Sequence, residues 1–456
     1  MKKRIEKDSL GEIQIPFDAL YGPQTQRAVE NFNFSSYKMP KDFLISLLEI
    51  KKAAAKSNYK LKLISKNKCD AIVKSTEYLI NNYDDKNFPV DVFQTGSGTS
   101  TNMNVNEVIA RVAKIKFKTE VHPNDDINKC QSSNDVIPTC ISYFSVKSLN
   151  GLLIPEIENL INSIKIKANK YDNVVKTGRT HLMDAMPITL KQELSAWATQ
   201  IINTELEIKK AIKRLSFLPI GGTAIGSGIN SHPNYSKEFI KFISTKKNSF
   251  FEKKDKFEGL SCQDDSIFLS STLKSLAVNL TKISNDLRWM NSGPLSGLSE
   301  ISLKSLQPGS SIMPGKINPV IPEATLMSCV KVISNDHAIT MAGMSGNFQL
   351  NVMLPLIAFL INESIFLLSN SCKSLSTVIK DFKVNKENID AISSINPILI
   401  TALNNIIGYE KGAYIAKKAY KEKKPIIDIA LSETSLSKKE LEKLLNPKDL
   451  TKKGIK

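Results

Sequence analysis

The chain has 456 residues, more than one ordinary core holds, so two or three domains are expected. Hydrophobic residues make up 41% and charged residues 23%, which excludes a disordered chain. The formal net charge is +17, yet the basic residues are spread along the whole sequence and only six of the 62 are arginine, the usual reader of bases and phosphates. A coding bias towards Lys, Ile and Asn accounts for the charge, and nucleic acid is not an expected partner.

Up to about residue 130, turns (YGPQTQ, TGSGT, HPNDD) alternate with helical patches such as FLISLLEIKKAAAK. From about 132 to 390 the pattern is long and helical, with residues 151–215 and 323–380 reading as long helices. GGTAIGSG, Gly221 to Gly228, lies between helical segments and reads as a hinge. Leu273, Leu276, Leu280, Ile283, Leu287 and Met290 follow alternating spacings of three and four, the stripe of a helix packed in a bundle. Ala338 to Asn362 carries no charge, but its purely apolar part, VMLPLIAFLI, is too short to span a membrane and reads as a buried core helix. Beyond about 390 a Lys-rich tail shows short helical patterns such as KKELEKLL. The expected fold is mainly all-α: an N-terminal domain (1–131), a central helical bundle (132–388) and a small helical C-terminal domain (389–456). The six cysteines show no CxxC spacing, which suits free thiols in a reducing compartment, and MKKRIEKDSLGEI lacks the apolar core of a signal peptide. A cytoplasmic protein without a membrane partner is expected.

Four polar islands interrupt the helical pattern. TGSGTSTNMNVNEV offers Ser97 and Thr99 at a helix start, where hydroxyls and backbone N–H groups can hold an anion; taken alone, the segment is better read as a turn followed by a cap. HPNDDINKCQSSND ends in Ser132, Ser133 and Asn134, again a cap or a carboxylate cradle. KTGRTHLMDAMP gathers Arg179, Thr180, His181 and Asp184 in a loop-like setting set by Gly178 and Pro187. GSSIMPGKINP, from Gly309 to Pro319, combines two serines, Lys316 and Asn318, and Glu323 follows. It is no phosphate loop: five residues separate its glycines and Ile317 follows the lysine. The four histidines lack HxH or HxxxH spacing, so no metal is expected; there is also no GxSxG, and no GxGxxG after a strand.

Together these residues resemble the fumarase/aspartase superfamily. SSIMPGKIN, Ser310 to Asn318, resembles its signature loop SSxMPxKxN. The other islands, GGTAIGSGINSHP, the start (EKDSLGEI, YGPQTQRAVENF) and the late segments SGNFQLNV and TALNNIIGYEKGAYIAKKAYKE resemble its further blocks, in order and over nearly the whole chain. The class II, metal-independent fumarases are the closer match. Thr180-His181-Leu182, Gly221-Gly222-Thr223 and Met313-Pro314-Gly315-Lys316 resemble fumarase rather than the rival aspartate ammonia-lyase, while Cys130, Val320 and Pro322 lean towards that rival.

The resemblance implies reversible hydration of fumarate to L-malate by a homotetramer without a cofactor, each active site assembled from three subunits. It implies Ser310 as the base, with Ser311 the alternative that sequence alone leaves open. His181 would handle the water, with Glu323 as its carboxylate partner. Lys316 and Asn318 would bind the substrate carboxylate that takes the charge. Ser97, Thr99, Ser132, Ser133, Asn134 and Thr180 would complete the cradle. A second, non-catalytic anion site is implied at His122, Asn124 and Asp125, but Thr119 stands where that site's arginine is usual. Leu295 and Met183 likewise replace an arginine and a glutamine. A helical relative without activity, like the crystallin-type members, is the alternative of a different class.

Overall fold

The computed structural model describes residues 2–454 and is mostly helical. An antiparallel hairpin, β1 (Lys3–Asp8) with β2 (Gly11–Pro16), comes first. Five helices follow: α1 (Pro23–Asn31), α2 (Lys41–Lys60), α3 (Lys66–Asn81), α4 (Thr99–Phe117) and α5 (Ser133–Ser148). After α6 (Ile154–Lys170) a second hairpin, β3 (Val175–Thr180) with β4 (Met183–Thr189), leads into α7 (Leu190–Leu215). Next are α8 (Tyr235–Ile243), α9 (Lys256–Ser261) and the long helices α10 (Asp264–Met290), α11 (Val320–Gly343) and α12 (Leu354–Asp381). Short helices complete the chain.

Two compact units emerge, each discontinuous in sequence. The first comprises Met1–Pro155, Thr204–Ala277 and Ser328–Ser369; the second comprises Glu156–Asn203, Val278–Met327 and Asn370–Lys456. In the first, α2 is the central helix, packed against α3, α5 and α8. Its Phe43, Leu44, Leu47, Leu48 and Ile50 are buried, and Phe43 meets Phe144 of α5 edge to face at 6.1 Å. There α10 is tied to α11 through Ser270 and Lys274 on Asp336, and α11 to α12 through Asn335 on Glu363 and Ser364. In the second unit, α6 meets α12 through the Ser163 and Ser376 hydroxyls, and Trp197 of α7 donates its indole N–H to Asp286 of α10. Near the C-terminus, Leu399, Leu403, Ile415, Ile429 and Leu441 belong to a separate small apolar core.

The expected stripe on α10 is there: all six residues are buried. The two longest expected helices are not continuous. Residues 151–215 are broken by β3 and β4. A Cβ on Gly178 would lie 2.6 Å from Met186 O, and Pro187, opposite Thr177, has no N–H for a helix interior. Residues 323–380 are broken by the short hairpin of Gly346–Asn347 with Leu350–Asn351, where a Cβ on Gly346 would lie 2.3 Å from Ser261 O. Helix α12 is long and apolar enough to cross a membrane by length and composition alone, but 61% of its most apolar window is buried, the pattern of a core helix.

Candidate active site

In the first unit, the TGSGT segment delivers its hydroxyls to the start of α4. Gly96 passes so close to the chain that an added Cβ would lie 1.9 Å from Val352 O, and Gly98 caps α4 in the left-handed region, at φ +74°. That path sets Ser97, Thr99 and Ser133 in a chain of hydroxyls, with oxygens 2.7 and 2.6 Å apart. Ser97 and Ser133 are buried. Ser132 is the N-cap of α5, its oxygen accepting the Asn134 N–H, and Asn134 donates its side-chain N–H to Ala224 O at 2.8 Å. Four hydroxyls and an amide therefore gather where the dipole of α5 favours an anion.

GGTAIGSG, expected to be a hinge, is pinned at its first three residues. The Asp135 carboxylate accepts the Gly221 and Thr223 N–H groups at 2.8 and 3.0 Å, and also Ser132 N–H at 2.9 Å. Burial pushes the Asp135 carboxyl up to about 6, although these three N–H bonds and the nearby Lys51 pull it down.

In the second unit, Thr180 is the last residue of β3, and His181 and Leu182 form the two-residue tip of the hairpin. Both have positive φ, +56° and +62°, as a tight hairpin of this length demands. The tip is exposed. The base of β3 is clamped: Lys176 donates to Glu300 at 2.5 Å and to Glu193 at 2.8 Å, and Arg179 donates to Glu300 at 2.7 Å. Lys176 and Glu300 are both about 2% exposed, so this pair is shielded from water.

The serine loop closes on itself. Gly309 N–H donates to Lys316 O at 2.8 Å, and the Asn318 side chain donates to Gly309 O at 2.7 Å. Within that ring Ser310 Oγ accepts two backbone N–H groups, from Ile312 at 3.2 Å and Met313 at 3.0 Å. Lys316 is exposed and forms no ion pair among the described residues. Glu323 is half-buried in the first turn of α11. Among the described residues no hydrogen bond joins His181 to Glu323. Met183 and Leu295 are exposed at 69% and 96%, so neither departure leaves a hole in the core.

The segment expected to hold a second anion borders a cavity of about 800 Å³ in the first unit. His122 and Asn124 line it, with Arg111, Lys114 and Lys7. Arg111 forms no ion pair among the described residues. Arg4 also reaches this cavity, but its guanidinium is spent on the carbonyls of Pro16, Phe17, Ala19 and Tyr21 and on Glu6. Asp125 turns back on the histidine, its oxygen 3.2 Å from His122 Nδ1.

Sequence reasoning missed Asp135, Glu300 and Lys51. Asp135 had a signal, since Ser132 with an acid three residues on is a capping box. Lys51 had one too: it interrupts the apolar stripe of α2. Glu300 had none, because its partners lie 121 and 124 residues away.

Comparison with known proteins bears on the family. A family model described as lyase matches residues 11–334, and one described as fumarase C C-terminus matches 399–452. A class II fumarate hydratase of Xylella fastidiosa is 51% identical over 99% of this chain and 96% of its own. One from Pseudomonas aeruginosa is 49% identical over 99% of both. The crystal structure of a recombinant class II fumarase from Schistosoma mansoni superposes with a TM-score of 0.95 at 35% identity, covering 99% of both chains. With full-length matches of this kind on both sequence and fold, the chain belongs to the lyase family of the class II fumarate hydratases.

Proposed function

We propose that the chain catalyses the reversible anti hydration of fumarate to L-malate. In the dehydration direction, from L-malate, Ser310 Oγ takes the proton from the carbon beside a carboxylate, and the electron pair moves into that carboxylate as an aci-carboxylate. The carbon–oxygen bond at the neighbouring carbon then breaks. The hydroxyl leaves as water with a proton from His181, and the double bond forms. The observation that carries this reading is the pair of backbone N–H groups aimed at Ser310 Oγ, because an oxygen that accepts two such bonds is stabilised as an alkoxide. Among the described residues Ser311 Oγ accepts no such pair, which favours Ser310 of the two serines.

In this reading Lys316 faces the carboxylate that gains charge, and Asn318 uses one amide N–H to hold the loop and the other for substrate. Ser97, Thr99, Ser132, Ser133, Asn134 and Thr180 cradle the remaining oxygens. His181 is oriented by Glu323 of another subunit, so the working form is a homotetramer with each site built by three chains; the exposed hairpin tip supports this. Arg111 supplies the cation of the second anion site in place of the residue that Thr119 replaces, beside His122, Asn124 and Asp125. The site chemistry uses side chains alone and needs no cofactor. The free cysteines support a cytoplasmic protein.

The test is ultraviolet absorbance of the purified protein with L-malate, and separately with L-aspartate, in the presence of a chelator. A rise with malate alone supports hydration chemistry. A rise with aspartate alone means an ammonia-lyase, and silence with both from a folded protein means an inactive relative or another substrate.

A further inference from the structure

Lys51 lies on the apolar stripe of α2, four residues after Leu47, and is fully buried. Burying an ammonium is costly, and a methionine of the same length fills the same space, so packing alone does not explain a lysine here. Its Nζ donates to Asn128 Oδ1 and to Gln131 Oε1, both at 3.0 Å. Asn128 Oδ1 also accepts from Asn102 at 3.1 Å and Asn106 at 3.3 Å, on the face of α4 that begins with Thr99. Asn128 and Gln131 are themselves joined, Asn128 Nδ2 to Gln131 O at 3.1 Å, and Gln131 Nε2 reaches Ile127 O and Lys129 O at 3.0 Å.

The turn they hold is strained. Cys130, between them, has φ +60°, a conformation that a residue with a side chain keeps only when its surroundings enforce it. Gln131 is followed directly by Ser132, Ser133 and Asn134. The same helix start carries the buried carboxylate of Asp135, whose charge opposes a bound anion, and Lys51 is the cation that interacts with it. No other lysine of the first unit is buried among the described residues.

We infer that Lys51 is a positioning residue for the anion cradle: through Asn128 and Gln131 it fixes the turn that presents Ser132, Ser133 and Asn134, and its charge offsets that of Asp135 beneath the bound carboxylate. This rests on reading that cluster as the substrate carboxylate site. It acts on affinity, because the base and the water-handling histidine lie on other segments.

The experiment is calorimetric titration of the full chain with succinate, a four-carbon dicarboxylate that does not react, at pH 6.5, together with malate turnover, for wild type, Lys51→Met and Lys51→Gln. Lys51→Met is expected to weaken succinate and raise KM by roughly tenfold or more, with kcat changed less than about threefold. Lys51→Gln, which keeps polar atoms without the charge, falls between. Partial unfolding lowers the active fraction and apparent kcat but not KM, so the split separates positioning from a merely structural role. Unchanged affinity in both variants overturns the inference, and so does failure of both to fold. Wild type that binds succinate but does not turn over malate sinks the hydration reading and leaves Lys51 to be judged on affinity. Wild type that binds no succinate overturns both.

Discussion

The clamp beneath the histidine hairpin offers a sharp test of the site's construction. Glu300 receives Lys176 at 2.5 Å and Arg179 at 2.7 Å, and both Glu300 and Lys176 are about 2% exposed. Replacing Glu300 by Gln removes the negative charge and turns an amide towards two cations. Lys176 keeps Glu193, but Arg179 keeps only the distant Asp184, 4.0 Å from its Nε. Breaking a buried ion pair from one side costs about 3–5 kcal/mol. Retained contact between Lys176 and Glu193 and the partial exposure of Arg179 pull the expectation to the lower end, about 3 kcal/mol. Because His181 and Leu182 both hold positive φ at the tip, loosening the base of β3 also releases the histidine from its set direction. Misplacement by about 1 Å costs on the order of a hundredfold in rate. Urea titration followed by circular dichroism reads the first quantity, and malate turnover below the unfolding transition reads the second. Glu300→Asp keeps the charge and recovers part of both. If Glu300→Gln loses less than about 1 kcal/mol and keeps wild-type turnover, the triad is a solvated surface network and the hairpin is held by something else.

Ser310→Ala and His181→Asn are each expected to cut malate turnover by at least about a hundredfold while oligomeric state and melting temperature stay put, checked by size exclusion and calorimetry; near-normal turnover of Ser310→Ala removes that serine from the role of base. Gly96→Ala forces a Cβ into Val352 O, so the loop must move, with a stability loss of about 1–3 kcal/mol in denaturant titration and a rise in KM as the Ser97–Thr99–Ser133 chain opens; an unchanged KM shows that the hydroxyl chain does not hold substrate. Burial pushes Lys51 down to about 7, whereas the unfolded chain keeps it near 10.5. Between those values the unfolded state binds the extra proton, so stability relative to Lys51→Met rises with pH, by at most about 1.4 kcal/mol per unit. Below about 7 both states are protonated and the difference is flat. Denaturant titrations from pH 6 to 9 read this, and a difference that stays level throughout means that Lys51 keeps its charge in the fold.

What the sequence made legible, and what it hid, follows the distance over which each feature is decided. The stripe from Leu273 to Met290 is decided within one helix, and it is buried as its spacing demands. The hydroxyl chain draws on Ser97, Thr99 and Ser133, each visible as part of a cap or turn, though their meeting depends on Gly96 and Gly98 steering the chain past Val352 and Ile137. The hairpin tip was hidden, because His181-Leu182 lacks the Asn-Gly or Asp-Gly pair that marks such a turn. Its conformation is supported by a glutamate more than a hundred residues away. The glycines of GGTAIGSG likewise look mobile until Asp135 takes two of their segment's N–H groups across 86 and 88 residues. Both failures have one physical cause: a buried carboxylate recruits donors wherever the fold brings them, and local pattern carries no record of that choice. Conversely, a charged residue on an apolar stripe is a local record of a distant partner. Lys51, on the buried stripe that holds Leu44, Leu47, Leu48, Ala54 and Ala55, announces that something polar must come to meet it, and Asn128 and Gln131 are what comes.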